Sequence, residues 1–258
     1  YNHTYTEAGT YTVSLTVVGP AGTDSTTKTD YITVNVLPPN ANFEATTTSG
    51  TPDLRVQFIN NSVRYTQSDW NFGDGNTSTD TNPMHTYTTV GSYDVSLSVL
   101  GEGGTDLETK TGYINVSTLG TPAIILDPKY TDTSNGSTIT LSLKVMGVTG
   151  LAAAQAKLVY DTNNVTIGNV AFGDFLKGNT DPLLIVTKDE SNGEVTIYTS
   201  SLSSDKPSAD GDGVIATVEF TVTATTSIIF DNSNIIFLDV DGNNITVNGS
   251  QDGYIYVN

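Results

Sequence analysis

Asp239-Val240-Asp241-Gly242-Asn243 places two carboxylates at alternate positions and follows them with an amide. Such a loop can wrap oxygen ligands around Ca²⁺, a hard cation. The complete EF-hand pattern fails, because Ser250 stands where the closing glutamate belongs. The simpler reading is an Asp-Gly hairpin turn. A second acidic loop, Ser203 to Gly213, carries Asp205, Asp210 and Asp212. Structural Ca²⁺ is the one cofactor these residues suggest. Cations would relieve the self-repulsion of a chain with a formal net charge of -18.

Other reactive chemistry is sparse. The two histidines, His3 and His85, occupy one position of an internal repeat, so an architectural role is expected. His85 is expected to hydrogen-bond loop backbone. Asp74 reads first as a turn residue. No Gly-x-Ser-x-Gly, His-Glu-x-x-His or phosphate-loop pattern occurs. The carboxylates lack the unifying spacing of a glycosidase pair. With no cysteine, disulfides, thiolate zinc sites and cysteine nucleophiles are excluded. An enzyme is not expected. The acidic balance, with a pI near 4.1, excludes nucleic acid as a partner.

The surface is built from hydroxyls and amides, since only 15% of residues are charged. Asn-x-Ser/Thr sequons stand at Asn2, Asn60, Asn76, Asn115, Asn135, Asn164, Asn244 and Asn248. They suit a glycosylated extracellular protein. Asn76, Asn135 and Asn248 fall in predicted turns and Asn115 in a predicted strand. No apolar run is long enough to span a membrane as a helix. The chain begins in mid-pattern at Tyr1-Asn2-His3, without a signal peptide, and reads as a piece of something longer.

The elements that hold these residues repeat. Residues 1–36 align with 83–118 at a constant offset of 82 and without a gap. Tyr11, Val13, Leu15 and Val17 match Tyr93, Val95, Leu97 and Val99; Tyr31-Ile32 matches Tyr113-Ile114. A period of this size means tandem domains. Each copy alternates apolar and polar residues, the pattern of a half-buried strand. Trp70 and Phe72 are two apart and share a strand face. Gly73-Asp74-Gly75-Asn76 then reverses the chain. Short strands with turn signals about every ten residues indicate a β-sandwich.

Trp70-x-Phe72-Gly73-Asp74-Gly75, Asn82-Pro83-x-His85-x-Tyr87 and Gly91-x-Tyr93-x-Val95-x-Leu97-x-Val99 together resemble a PKD (polycystic kidney disease) domain over about 41–117. The resemblance implies an immunoglobulin-like sandwich, with Trp70, Phe72, Asp74, Gly75, His85 and Tyr87 as its structural residues. Asn71 stands where the family often has Asp. Residues 1–36 match only the last third of that family and lack the Trp-x-Phe-Gly-Asp-Gly half. Alone they would expose a bare apolar face. Either the first domain is cut, the preferred reading, or its missing strands come from elsewhere, such as a neighbouring subunit.

After the linker Leu37-Pro38-Pro39-Asn40 and a boundary at 117–122, the texture changes. The Ala-rich stretch 150–161 keeps period two through Ala154, Ala156, Leu158 and Tyr160, so it is predicted as a strand despite its helix propensity. About nine short strands are predicted from 123 onward. Gly136-Ser137-Thr138-Ile139-Thr140-Leu141, Gly150-Leu151 with Leu158-x-Tyr160-Asp161, Gly173-Asp174-Phe175-Leu176 and Gly213-Val214-Ile215-Ala216-Thr217-Val218-x-Phe220 resemble a cohesin domain over about 122–258. A carbohydrate-binding-module-like jelly roll is the alternative.

The expected architecture is all-β: tandem immunoglobulin-like β-sandwiches, then a jelly-roll-like β-sandwich. Residues 1–37 form part of a PKD-like domain, 38–120 a complete one and 121–258 the cohesin-like domain. The first expectation for function is a non-catalytic structural or adhesive protein of a cell surface, sheath or filament. Its partners would be other copies of itself or other surface proteins. The resemblance to cohesins implies a dockerin partner as a second reading. A polysaccharide is also open, with Tyr1, Tyr65, Tyr130 and Tyr198 as candidate stacking rings. An accessory region of a secreted hydrolase is the third.

Overall fold

The structure, a computed structural model, describes residues 2–258. The chain divides into two compact units, the first ending at Thr118 and the second starting at Leu119.

The first unit opens with a hairpin of β1 (Gly9–Gly19) and β2 (Gly22–Val34). These two strands form a sheet by themselves. Eight further strands make a sandwich: β3 (Phe43–Ala45), β4 (Ser49–Gly50), β5 (Leu54–Asn60), β6 (Gln67–Asn71), β7 (Thr77–Ser78), β8 (Met84–Tyr87), β9 (Gly91–Gly101) and β10 (Gly104–Val116). One sheet runs β4-β10-β9-β6-β7 and the facing sheet β3-β5-β8. Period-two residues of both sheets fill the space between them: Phe43, Val56, Phe58, Trp70, Val95, Leu97 and Ile114 are buried.

The Trp70 to Asn76 stretch works as the sequence suggests. The Trp70 and Phe43 rings meet edge to face at 5.2 Å, and Trp70 Nε1 donates to the Asp80 carbonyl at 3.0 Å. That bond satisfies the one polar atom of a buried ring. Gly73 has φ +83°, and a Cβ there would lie 2.3 Å from the Asp94 carbonyl oxygen. Glycine is therefore required twice over. His85 departs from the expected backbone contact. Its Nε2 lies 2.7 Å from Asp74 Oδ2, and its ring stacks on Phe72 at 4.2 Å. The Tyr87 hydroxyl donates to the Phe72 carbonyl at 3.0 Å, and burial pushes that hydroxyl's pKa above its usual range. Asp74 also accepts from the Asn76 backbone and amide at 3.0 and 3.1 Å. It thus ties the turn to the strand carrying His85.

The hairpin reproduces its repeat partner in detail. Tyr11 donates to the Glu7 carbonyl and Tyr93 to the Thr89 carbonyl, each at 2.7 Å. At the bulge, the Asp30 N–H donates to Thr12 Oγ1 and the Gly112 N–H to Asp94 Oδ1. What differs is cover. Val13, Leu15 and Val17 are 36, 60 and 54% exposed, whereas Val95, Leu97 and Val99 are at most 1% exposed. The expected bare face is present.

The second unit is a larger sandwich of thirteen strands, four more than predicted. The smaller sheet runs β15 (Val165–Phe172), β18 (Ala209–Val222), β13 (Ser137–Leu151), β11 (Ala123–Asp127) and β22 (Gly249–Gln251). The larger runs β12 (Tyr130–Thr133), β23 (Gly253–Val257), β19 (Thr226–Phe230), β14 (Ala153–Tyr160), β17 (Glu194–Ser200) and β16 (Leu183–Asp189). Two short strands, β20 (Ile236–Leu238) and β21 (Asn244–Ile245), extend the same sheet beside β14. Segments of two to five residues such as β11, β12, β21 and β22 are too short to show a period, which is why the predicted count falls short. The Ala-rich stretch is β14, with Ala154, Ala156, Leu158 and Tyr160 inward.

Partial burial would raise the Asp74 carboxyl, but hydrogen bonds from His85 and Asn76 outweigh it and hold its pKa below the usual value. A lowered carboxyl contributes stability above about pH 4 that is lost as pH falls through the folded value. Asp74→Asn should therefore cost about 1 kcal/mol at neutral pH, with the gap to wild type closing as pH falls through the lowered folded value. Gly73→Ala should cost roughly 2–3 kcal/mol at any pH. Urea unfolding followed by the fluorescence of Trp70, the only tryptophan, reads both.

Candidate functional site

The two outer faces of the second unit differ in chemistry. On the smaller sheet, Thr138, Thr140, Ser142 and Lys144 of β13 point outward, opposite Thr221, Glu219 and Thr217 of β18. Thr138 and Thr221 join hydroxyls at 3.0 Å. This is a solvated face.

The larger sheet presents apolar groups instead. Ile236 of β20 and Tyr198 of β17 both stand opposite Gln155 of β14, and Tyr198 stands opposite Ile185 of β16. The row Ile236–Gln155–Tyr198–Ile185 therefore crosses four strands, about 14 Å at the usual strand spacing. Leu183 lies two residues along from Ile185. Leu183, Ile185, Tyr198 and Ile236 are each between 38 and 49% exposed. Lys157, next on β14, lies 2.7 Å from Glu194 and 3.7 Å from Asp231. The hydrogen bond to Glu194 is the main cause that raises the lysine's pKa. Beyond this ion-pair cluster, Ile229, Tyr254, Tyr256 and Tyr130 continue the same face toward β12. A sheet face of this kind, apolar at its centre with a charged group in it, has the composition of a protein-docking surface.

Of the sequence-predicted metal ligands, Asp239 and Asn243 are engaged in a turn. Asp239 accepts from the backbone N–H groups of Asp241 and Asn243 and from the Asn243 amide at 2.8–3.0 Å. Gly242 at φ +80° completes an Asp-Gly turn. The Asn243 amide is the first of the hydrogen bonds that lower the pKa of the Asp239 carboxyl. Asp210 and Asp212 do a separate job: their carboxylates accept from the Gly150 and Gly147 N–H groups at 2.6 and 2.7 Å. They fasten two of the three places where β13 slips register against β18, the one between Val145 and Val148 and the one between Val148 and Leu151. Asp205 instead accepts from Ser203 and from the Asn179 N–H. Among the described residues, no three histidine, aspartate or glutamate side chains gather so as to hold a metal ion.

The sequons separate by access. Asn2, Asn76, Asn115, Asn135, Asn244 and Asn248 are exposed. Asn115 faces out of β10, while the Asn76 and Asn248 amides donate to Asp74 and to the Thr121 carbonyl. Asn164 is half-buried, its amide bound to Asp161. Asn60 Nδ2 is buried, which closes that sequon in the folded chain. Of the candidate stacking rings, Tyr65 packs against the first core, Tyr130 and Tyr198 lie on the larger sheet, and Tyr1 is outside the described residues.

Sequence reasoning missed this apolar outer face, although a signal existed. Leu183-Leu184-Ile185-Val186, Ile228-Ile229-Phe230 and Ile235-Ile236-Phe237 are apolar in both phases, so a second apolar face must exist.

The geometry defines an immunoglobulin-like sandwich followed by a larger, jelly-roll-like β-sandwich. Family models agree: residues 36–116 match the PKD domain and residues 126–257, just over half of the chain, the Cohesin domain. The chain belongs to the cohesin family and carries a PKD domain ahead of its cohesin domain. Among solved structures, it resembles a non-cellulosomal cohesin from the archaeon Archaeoglobus fulgidus at 19% identity, covering 53% of this chain and 90% of that one, with TM-score 0.44. A type I cohesin–dockerin complex from Clostridium thermocellum matches at 15% identity, over 55% and 96%, with TM-score 0.45. The third ScaC cohesin of Acetivibrio cellulolyticus, solved with the ScaB dockerin, matches at 19%, over 52% and 97%, with TM-score 0.45. A search of curated proteins finds no match.

Ile185→Glu and Tyr198→Lys should leave the fold intact, because both side chains already face solvent. Expected changes in stability are within about 0.5 kcal/mol, read by thermal melting of the full chain.

Proposed function

We propose that this chain is a non-catalytic modular binding protein, whose cohesin domain docks a dockerin-type module and whose PKD domain serves as a spacer. Both families supply binding or structural modules. The observation that carries the reading is the contrast between the two outer faces of the second unit. Only the larger sheet offers the solvent-facing row Ile236–Gln155–Tyr198–Ile185 with Lys157 beside it. Aromatic and aliphatic anchors around a charged group are where binding energy concentrates.

The proposed setting is extracellular, at a cell surface, sheath or filament. Exposed sequons and a hydroxyl-rich, acidic surface support it. Among the described residues, no helix is long and apolar enough to cross a membrane.

A specific observation favours a second activity, assembly with other copies. The β1–β2 hairpin holds Val13, Leu15 and Val17 in solvent on strands whose repeat partners are core. An uncovered apolar sheet is a template for association.

Two measurements check these readings. In surface plasmon resonance against a panel of purified dockerin modules, the full chain should bind at least one. Ile185→Glu should weaken that binding at least tenfold, and Thr140→Ala on the opposite face should not. No binding across the panel, or equal binding by Ile185→Glu, contradicts the docking reading. In sedimentation velocity, the full chain should associate with rising concentration, and Leu15→Lys with Val17→Lys should abolish this. A strict monomer at every concentration rules out assembly through the hairpin.

A further inference from the structure

The tyrosines beyond Lys157 form a feature of their own. Strands β12 and β23 pair in parallel, so Tyr130 stands beside Tyr254 and Asp132 beside Tyr256. The Tyr130 and Tyr254 rings stack at 5.5 Å with 29° between planes, and Tyr130 and Tyr256 lie 6.2 Å apart. Lys129 Nζ sits 5.2 Å from the Tyr130 ring centroid. Tyr254 is 39% exposed. Together with Tyr256 it lines an open cleft of about 590 Å³ on the outer face. Ile229 and Val159 form the cleft's apolar wall, and Ser227, Thr225, Asp161 and Asn164 its polar side.

We infer that this cleft binds a neutral polysaccharide strand. A tyrosine ring presents an electron-rich face and a polar tip. The axial C–H groups of a pyranose ring pack on such a face, and its hydroxyls need donors and acceptors at the edge. The cleft supplies both: two tyrosines next to hydroxyls, an amide and a carboxylate. Concave sites combine an apolar lining with a few placed polar groups in this way. Charge decides which polymer. No lysine or arginine lines the cleft, Asp161 does, and the chain carries -18 overall. An anionic polymer is therefore repelled and a neutral one admitted. The Lys157–Glu194–Asp231 cluster separates the cleft from the Ile236–Ile185 row. The same sheet can thus hold a sugar strand and a protein partner at different places.

The test is affinity electrophoresis of the full chain, made in a host that adds no N-glycan so that the Asn164 sequon stays bare. The gels contain hydroxyethylcellulose, glucomannan, galactomannan or pullulan, with alginate as the anionic control. At least one neutral polymer should retard the chain, and alginate should not. Tyr254→Ala should weaken retardation at least tenfold, Tyr254→Phe should keep it, and Tyr198→Lys on the other patch should leave it unchanged. Ser227→Glu, which puts a second carboxylate in the cleft, covers the case in which Tyr254→Ala fails to fold; it should also abolish retardation. The inference is overturned if no neutral polymer retards the chain, if alginate alone does, or if Tyr254→Ala and Ser227→Glu migrate as wild type. Retardation lost equally in Tyr198→Lys would assign the binding to the docking row and overturn it too.

Discussion

A chain without cysteine, in which only 15% of residues carry charge, is held together by burying every second side chain of its strands. Each fully buried Val, Leu, Ile or Phe contributes about 1.5–3 kcal/mol relative to exposure. The repeat isolates that term. β1–β2 and β9–β10 share their register, their bulge bond and their tyrosine-to-carbonyl bond. Only β9–β10 has Phe43, Phe58 and Trp70 against it. A two-stranded hairpin is marginal in water by itself. Its hydrogen bonds exchange with water at little net gain. Leaving Val13, Leu15 and Val17 uncovered forgoes several kcal/mol, which is the physical ground of the assembly proposed for that face.

The carboxylates are arranged around the same requirement. The long strand β13 slips register against β18 at three places. At two of them Asp212 and Asp210 accept from the Gly147 and Gly150 N–H groups, at glycines with positive φ. Asp74 and Asp239 close turns in the same fashion. An acidic loop can thus mark a β-bulge as readily as a cation site.

Legibility followed period and repetition. Trp70 and Phe72 could be read because they share one strand face, and β9–β10 because one face alternates cleanly and a second copy exists to compare. β14 was legible despite three alanines, since Ala154, Ala156, Leu158 and Tyr160 keep period two. The Asp74–His85 contact was not, because eleven residues and a chain reversal separate the partners and no local pattern encodes their meeting. The apolar row Ile236–Gln155–Tyr198–Ile185 was hidden for another reason. A strand apolar on both faces, such as Leu183-Leu184-Ile185-Val186, says that two apolar faces exist, but only the fold says which is covered. The same holds for the tyrosines, whose adjacency depends on pairing β12 with β23 across more than a hundred residues.

The acidic charge gives those exposed apolar faces their meaning. Copies carrying -18 repel one another at low ionic strength, over a range of about 30 Å at 0.01 M salt that shrinks to roughly 3 Å at 1 M. Contacts through Ile185, Tyr198 or Leu15 are non-ionic and do not weaken as salt rises. Screening therefore removes the repulsion and leaves the attraction. A surface of Thr, Ser and Asn keeps such a chain solvated without adding charges that salt would neutralise. Under the proposed docking and assembly, repulsion by charge and attraction by the apolar patches would confine association to the patches themselves. A module proposed to hold defined partners, rather than to aggregate, requires that selectivity.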